Sequence, residues 1–456
     1  MSRRLYPVEV STEPDGTTLL CASRRDVPLV CLSVECDGGR LCDPRPAPAN
    51  PNGRDLPGLA ALVAALIAEG PEGHTPLAWH RELDKDAIGI SVDSAPLHWV
   101  ADLQCLPETV NRATNLLREC LARPGMDAQE WKQLVKTQRV SAREHWAQPT
   151  NRSGPLVAVQ MLGYGYPHAH PAFERGFARA KLEDARRLGR GAFHRGPRTI
   201  ATIGGDIEPN EGFAELRALM ASLPGAANAD RAAAASAPPA QASHKPVWIV
   251  DWPGIDQVFF ALGRPGVRAG DPDRVALRMA NYAIGGGGFS SRLLRRVRSQ
   301  SGHTYGIHSD LPEDFVDSPF TIECFTQTAN LSDVLNLIDD ELRAIRDDGF
   351  TDAEVQATRA HLHGAVPLGL TTPDDVLDAV SHALRAGLSV EDLEEDWGRI
   401  MQTDRDLMNG AARRLLGDGS FRLALVGPAD EIRRRVQDRG EHVVFKRTLM
   451  PDRWRD

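Results

Sequence analysis

The order in which amphipathic helices, glycines and helix-opening residues recur along this chain restricts its fold more than any single motif does. Two stretches, NLLRECLARPGMDAQEWKQLVKTQ (115–138) and DDELRAIRDDGFTDAEVQATRAHL (339–362), follow one plan. In each, an amphipathic helix runs into a glycine, Gly125 or Gly349, whose missing Cβ suits a left-handed helix end. Asp127 with Glu130, and Thr351 with Glu354, then have the spacing of a capping box that opens a second helix. Earlier in each half lies another helix, DLPGLAALVAALIAEG (55–70) and DPDRVALRMANYAI (271–284), the latter with Asp271 as N-cap and Pro272 at the first helical position.

Strand candidates fall in matching places. DAIGISVD (86–93) and HWVADLQCL (98–106) in the first half answer TYGIHSDL (304–311) and PFTIECFTQ (319–327) in the second. Each half closes on a β-branched run into glycine, RTIATIGGDI (198–207) and FRLALVGPADEI (421–432). Helices and hairpins without regular βαβ alternation predict α+β rather than a parallel sheet. The stretch PGAANADRAAAASAPPAQASHKP (224–246) has almost no large apolar side chain and reads as an exposed linker. The expected organisation is two homologous α+β domains, residues 1–223 and 247–456, joined through 224–246.

Composition narrows the function classes. At 456 residues the chain suits two to four domains. No apolar run approaches a membrane span, and the start has no apolar segment of a secretory signal. A net charge of -9 argues against broad binding to nucleic acid or anionic membrane. The seven cysteines are scattered, with no CxxC or CxxH spacing, so they read as buried free thiols in a reducing cytoplasm.

GGGGFSSRLLRRVRSQSGHTY (285–305) invites a phosphate-loop reading. A P-loop needs Gly-Lys followed by Ser or Thr, and no lysine follows Gly285–Gly288. A dinucleotide fingerprint needs a preceding strand, whereas Val275, Met279, Tyr282 and Ala283 recur at helical spacing. The four glycines therefore read as a sharp, accessible turn between two helices. A serine N-cap, inward Leu293, Leu294 and Val297, a stop at Gly302 and a strand carrying Tyr305 follow.

With these residues in place, the chain resembles the M16 family of zinc metallopeptidases, the pitrilysin and insulinase group, in the size of its two-domain bacterial members. The resemblance rests on DVPLVCLSVECDGG near the start, DLPGLAALVAALIAEGP, the IGGDI that ends the first half, and NYAIGGGGFSSRLLRRVRSQSGHTYGIHS. It implies that an active member would carry H-x-x-E-H on the first-half helix after a Gly-Leu-Ala lead, two histidines binding zinc and the glutamate handling the proton of water. Laid on Gly58, Leu59 and Ala60, that frame puts the three functional positions at Ala61, Ala64 and Ala65. A methyl group offers neither a lone pair to zinc nor a proton acceptor. The family's third ligand is a later glutamate, and VKTQRVSAR offers no carboxylate before Glu144. His168 with His170, and His361 with His363, stand two apart and do not share a helical face toward one ion.

The family's second-domain pair, an arginine and a tyrosine spaced R-x6-Y, matches Arg298 and Tyr305. Spacing alone reads Arg298 as one of several solvated arginines beside Arg292, Arg295 and Arg296, and Tyr305 as a packed strand residue. The resemblance instead implies that both meet the carbonyl of a peptide substrate, guanidinium and phenol being directional donors. It further implies a heterodimer: an H-x-x-E-H subunit holds zinc, while this chain binds no metal or cofactor of its own and contributes Arg298, Tyr305 and a peptide-guiding loop, Gly285, Gly286, Gly287 and Gly288. The alternatives are a structural subunit like the core proteins of the respiratory bc1 complex, and a subunit of a maturation protease such as one acting on a pyrroloquinoline quinone precursor peptide.

Overall fold

The computed structural model describes residues 4–45, 54–163, 172–226, 247–313, 318–437 and 443–446. The chain forms two compact units. The first draws on residues 1–143, 170–237 and 369–385, the second on 144–169, 238–368 and 386–456. Most of the 224–246 linker and both His168 and His170 lie outside the described residues.

Each unit is built on a six-stranded mixed sheet. The first contains β1 (Glu9–Thr12), β2 (Thr18–Ser23), β3 (Val30–Asp37), β4 (Gly89–Ser94), β5 (His98–Cys105) and β6 (Ile200–Gly205), in the order β1-β2-β6-β3-β5-β4. The second contains β7 (Val247–Asp251), β8 (Gln257–Pro265), β9 (Ile307–Asp310), β10 (Pro319–Gln327), β11 (Arg422–Gly427) and β12 (Val443–Lys446), in the order β12-β7-β11-β8-β10-β9. In both, a parallel pair, β2 with β6 and β7 with β11, is followed by three antiparallel pairings. Five strands thus recur in the same order and sense, which is the duplicated α+β plan expected from the sequence.

β6 and nearly all of β3 are buried, as central strands covered on both faces must be. The Leu59–Ala68 helix packs on β4, and the Pro209–Ala221 helix on β2 and β6. The Pro373–Arg385 helix, from the far half of the sequence, also packs on β6 and β2 of this first sheet. Gly204 of β6 makes room for it, since a Cβ there would meet Leu377 Cδ1 at 2.7 Å. The second unit repeats the arrangement: the Ser153–Leu162 helix, from the first half, packs on β8, β10 and β11. A Cβ on Gly263 of β8 would meet Val157 Cγ2 at 2.7 Å.

The helix boundaries follow local chemistry, with two departures from the sequence reading. Gly349 ends the Leu331–Asp348 helix with φ +78°. Thr351 and Glu354 then form the reciprocal box, Glu354 N donating to Thr351 Oγ1 (3.3 Å) and Thr351 N to Glu354 Oε2 (2.9 Å). In the first half Asp127 accepts from Gln129 N and Glu130 N, but the left-handed residue is Met126, not Gly125. Gly125 serves close approach instead: its N–H donates to Gly70 O (2.9 Å), and a Cβ there would crowd Gly70 O at 3.1 Å. Likewise Asp271 is not the N-cap of its helix, which spans Arg274–Asn281 after Asp273. The Asp271 carboxylate is taken up by Arg414 and by Asp273 N.

Candidate functional site

The segment from Tyr282 to Gly306 is anchored in the core of the second unit. Ala283, Ile284, Leu293, Leu294 and Val297 are buried among Phe260, Leu277, Met279, Phe320 and Ile322. The apolar residues occur at the spacing that keeps one face of the chain inward, so polar and aromatic neighbours are left outward.

The four glycines are not the free turn between helices that the sequence suggests. Gly285 and Gly286 lie inside a widened helical turn, Tyr282–Gly286, closed by Gly287 N donating to Tyr282 O at 2.7 Å. Two close approaches require this: a Cβ on Gly285 would meet Ser309 Oγ of β9 at 2.6 Å, and one on Gly287 would meet the Tyr282 ring at 2.7 Å. Gly288 has φ +55° and open space around it, so it alone serves conformation rather than packing. Ser291 takes the N-cap position of the next turn, yet its hydroxyl donates to Gly288 O (2.7 Å), as Ser290 donates to Gly287 O (2.7 Å).

The arginines of this segment differ in how they are held. Arg292 pairs with Glu341 at 2.6 Å and donates to Gly349 O at 3.0 Å, and Arg295 pairs with Glu354 at 3.2 Å. Arg296 reaches Gln300 at 3.3 Å. Arg298 is half-buried and has no ion-pair partner among the described residues; its guanidinium lies over the Phe289 ring, 4.7 Å from the centroid. Phe289, which the sequence reading passed over, is 72% exposed. Its only sequence signal is an aromatic residue placed directly after the glycines.

Tyr305 stands outside β9, in the turn before it, and is 82% exposed. It is therefore not the packed strand residue that spacing alone suggests. Its neighbours fix the turn: buried Thr304 donates to Phe325 O (2.5 Å) and accepts from Gly306 N (3.1 Å), while Thr326 donates to His303 O (2.6 Å). Gly302, at φ +71°, ends the preceding turn with its N–H on Arg298 O (3.0 Å). One short segment thus displays a guanidinium and two aromatic rings outward, each from a pinned backbone.

In the first unit, Ala61, Ala64 and Ala65 sit on the Leu59–Ala68 helix, which carries no polar side chain. Its N-terminus is closed by buried Asp43, whose oxygens accept from Gly58 N and Ala60 N, both at 2.7 Å. Glu144 is exposed near the end of the Ala128–Trp146 helix. Among the described residues, no group of three or more His, Cys, Asp or Glu is placed to hold a metal ion. The described residues of this helix do not fit a zinc site. His361 stacks on Tyr282 and His363 on Trp397, so the two rings are committed to different partners.

The first unit also holds a cavity of about 630 Å³, between the Pro373–Arg385 helix and β3, β4 and β5. Alternation along β3 turns Cys31, Ser33 and Glu35 toward it, and Asp102, Asp374, Asp378 and His382 also line it. Arg385, with a side chain 4% exposed, pairs with Glu35 at 3.2 Å, and Ser381 donates to the same carboxylate at 2.5 Å. Burial pushes the Asp378 carboxyl up to about 6, helped by Asp374, Glu35 and Asp102. Burial also raises Asp102, against a hydrogen bond with Ser33. All seven cysteines are free, and burial pushes the Cys36, Cys120 and Cys324 thiols up to about 12.

These features define a duplicated α+β protein with an apolar helix at Leu59–Ala68 in its first unit and an outward arginine and tyrosine in its second. Residues 192–362 match the family described as "Peptidase M16 inactive domain". A solved structure of a peptidase M16 inactive domain from Pseudomonas fluorescens superposes with a TM-score of 0.81 at 21% identity, covering 92% of this chain and 98% of that one. A non-peptidase homolog from Helicobacter pylori is 24% identical over 338 residues, covering 73% of this chain and 75% of that protein. An uncharacterized zinc protease of Streptomyces coelicolor is 29% identical over 174 residues, 38% of this chain and only 37% of that protein. The chain is thus similar to M16 proteins of the inactive-domain kind, the family model matching over residues 192–362 and the fold over most of the chain.

Proposed function

We propose that this chain is the non-zinc-binding subunit of a heterodimeric M16-type metallopeptidase, acting on a peptide in the cytoplasm. The observation that carries the reading is the contrast among the arginines: Arg292 and Arg295 are spent on carboxylates, whereas Arg298 has no such partner among the described residues and stands in one segment with an 82% exposed Tyr305. A guanidinium and a phenol held outward from a pinned backbone are suited to meet charge developing on a scissile carbonyl. In this reading an H-x-x-E-H subunit holds the zinc, and this chain supplies Arg298, Tyr305, the Gly285–Gly288 turn and part of the enclosure around an extended peptide bound along a sheet edge of that partner. Alone the chain binds no zinc and cuts no peptide. Seven free cysteines, six of them buried, support a reducing compartment.

The test is co-expression with an H-x-x-E-H homologue encoded beside it, followed by measurement of zinc content and peptide hydrolysis. Activity is expected only in the mixture. Arg298→Ala or Tyr305→Phe should lower kcat about 10²-fold, the scale of losing one preorganised donor, with the complex still assembled. Stoichiometric zinc and peptidase activity in this chain alone would overturn the proposal. Full turnover by both variants would favour the structural-subunit alternative.

A further inference from the structure

Phe289 is the residue of this segment whose position is least explained by folding. Its ring is 72% exposed, although an apolar side chain of that size gains stability only when covered. Its backbone is nevertheless held on both sides. Ser290 and Ser291 donate to Gly287 O and Gly288 O, and Arg292 is fixed by Glu341 and Gly349 O. Among the described residues the ring meets the Arg298 guanidinium, 4.7 Å from its centroid.

Resting on the function proposed above, we infer that Phe289 is a positioning residue: its ring is a shelf that fixes the plane of the Arg298 guanidinium and leaves the N–H edge open to a carbonyl of the bound peptide. An arginine side chain has large rotamer freedom, which binding must remove. A ring beneath the guanidinium removes part of it beforehand, because cation–π attraction acts on the face while hydrogen bonds leave from the edge. A carboxylate could hold the arginine equally still, but it would occupy the N–H groups that substrate needs. The aromatic shelf restrains Arg298 without using its donors. At the strength of an exposed cation–π pair, its loss lowers kcat/KM roughly two- to fivefold.

Two measurements test this separately. In the purified, ¹⁵N-labelled chain, the Arg298 Nε–H proton should be shifted upfield by the ring; Phe289→Leu should abolish the shift and Phe289→Trp should restore it. An unchanged Arg298 resonance in Phe289→Leu would show that the ring does not hold the guanidinium, whatever the chain's function. In the zinc-bearing complex, Phe289→Leu should lower kcat/KM two- to fivefold, Phe289→Trp should recover it, and Phe289→Leu should have no further effect when Arg298 is already Met. An equal loss in the Arg298→Met background would mean that Phe289 acts on peptide by itself, and would overturn the positioning role. A normal Arg298→Met complex would sink the function reading while leaving the resonance measurement to decide the shelf.

Discussion

Replacing Asp378 with Asn should stabilise this protein, and only above a definite pH. Asp378 lies on the Pro373–Arg385 helix, over a cavity it shares with Asp374, Glu35 and Asp102. Burial first, and those carboxylates second, raise its pKa from 3.8 to about 6. A carboxyl whose folded pKa exceeds its unfolded value binds its proton more tightly in the native state. Stability is therefore lost as pH rises from about 4 to about 6, and the penalty is complete above that window. Some two pKa units at ~1.4 kcal/mol each set a ceiling near 3 kcal/mol. Asp378 is exposed at the surface, so screening by solvent reduces this to roughly 1 kcal/mol. For a unit of this size that corresponds to about 2–4 °C in Tm. Thermal unfolding followed by circular dichroism should give Asp378→Asn a higher Tm than wild type at pH 8 and nearly the same Tm at pH 4. An equal gain at both pH values, or a loss at pH 8, would refute the account of clustered, desolvated carboxylates.

Other expectations concern the second unit. Arg274 and Asp396 form a buried pair at 2.7 Å, with side chains 5% and 4% exposed, so Arg274→Met should cost about 3–5 kcal/mol in urea unfolding, largely recovered by adding Asp396→Leu. The glycines of the 285–288 turn should separate by mechanism under the same assay. Gly285→Ala drives a methyl against Ser309 Oγ and should cost about 1–3 kcal/mol, relieved in part by Ser309→Gly. Gly288→Ala has open space and should lose only the left-handed backbone preference, about 1–2 kcal/mol, with no benefit from Ser309→Gly.

Local chemistry made the repeat legible, with the positions of β4, β5, β6, β9, β10 and β11. PFTIECFTQ is β10 to the residue, and the Thr351–Glu354 box forms as its spacing predicts. What escaped was decided by distant neighbours. Nothing around Gly125 announces that it abuts Gly70, and so the left-handed role passed unseen to Met126. Asp271 has the composition of a cap, but Arg414, far along the chain, claims its carboxylate. For the candidate site, spacing found Arg298 and Tyr305, while the resemblance gave them a role. Phe289 was invisible because an aromatic residue carries no sign of whether it will be buried. The cavity of the first unit was hidden for a related reason: half of its carboxylates come from β3 and β5 and half from a helix more than 270 residues further along the sequence.

That same helix bears on how such a chain can be divided. A fragment ending at the 224–246 seam would carry the first sheet without Pro373–Arg385, leaving uncovered the strand surface that Val376, Leu377 and Val380 otherwise bury. The complementary fragment would lack Ser153–Leu162 and bare the surface of β8 and β11. Each repeat has lent a helix to the sheet of the other, so the halves no longer count as separable modules. A cut at the seam yields two sticky, incomplete pieces, and they regain soluble folds only when both are present together.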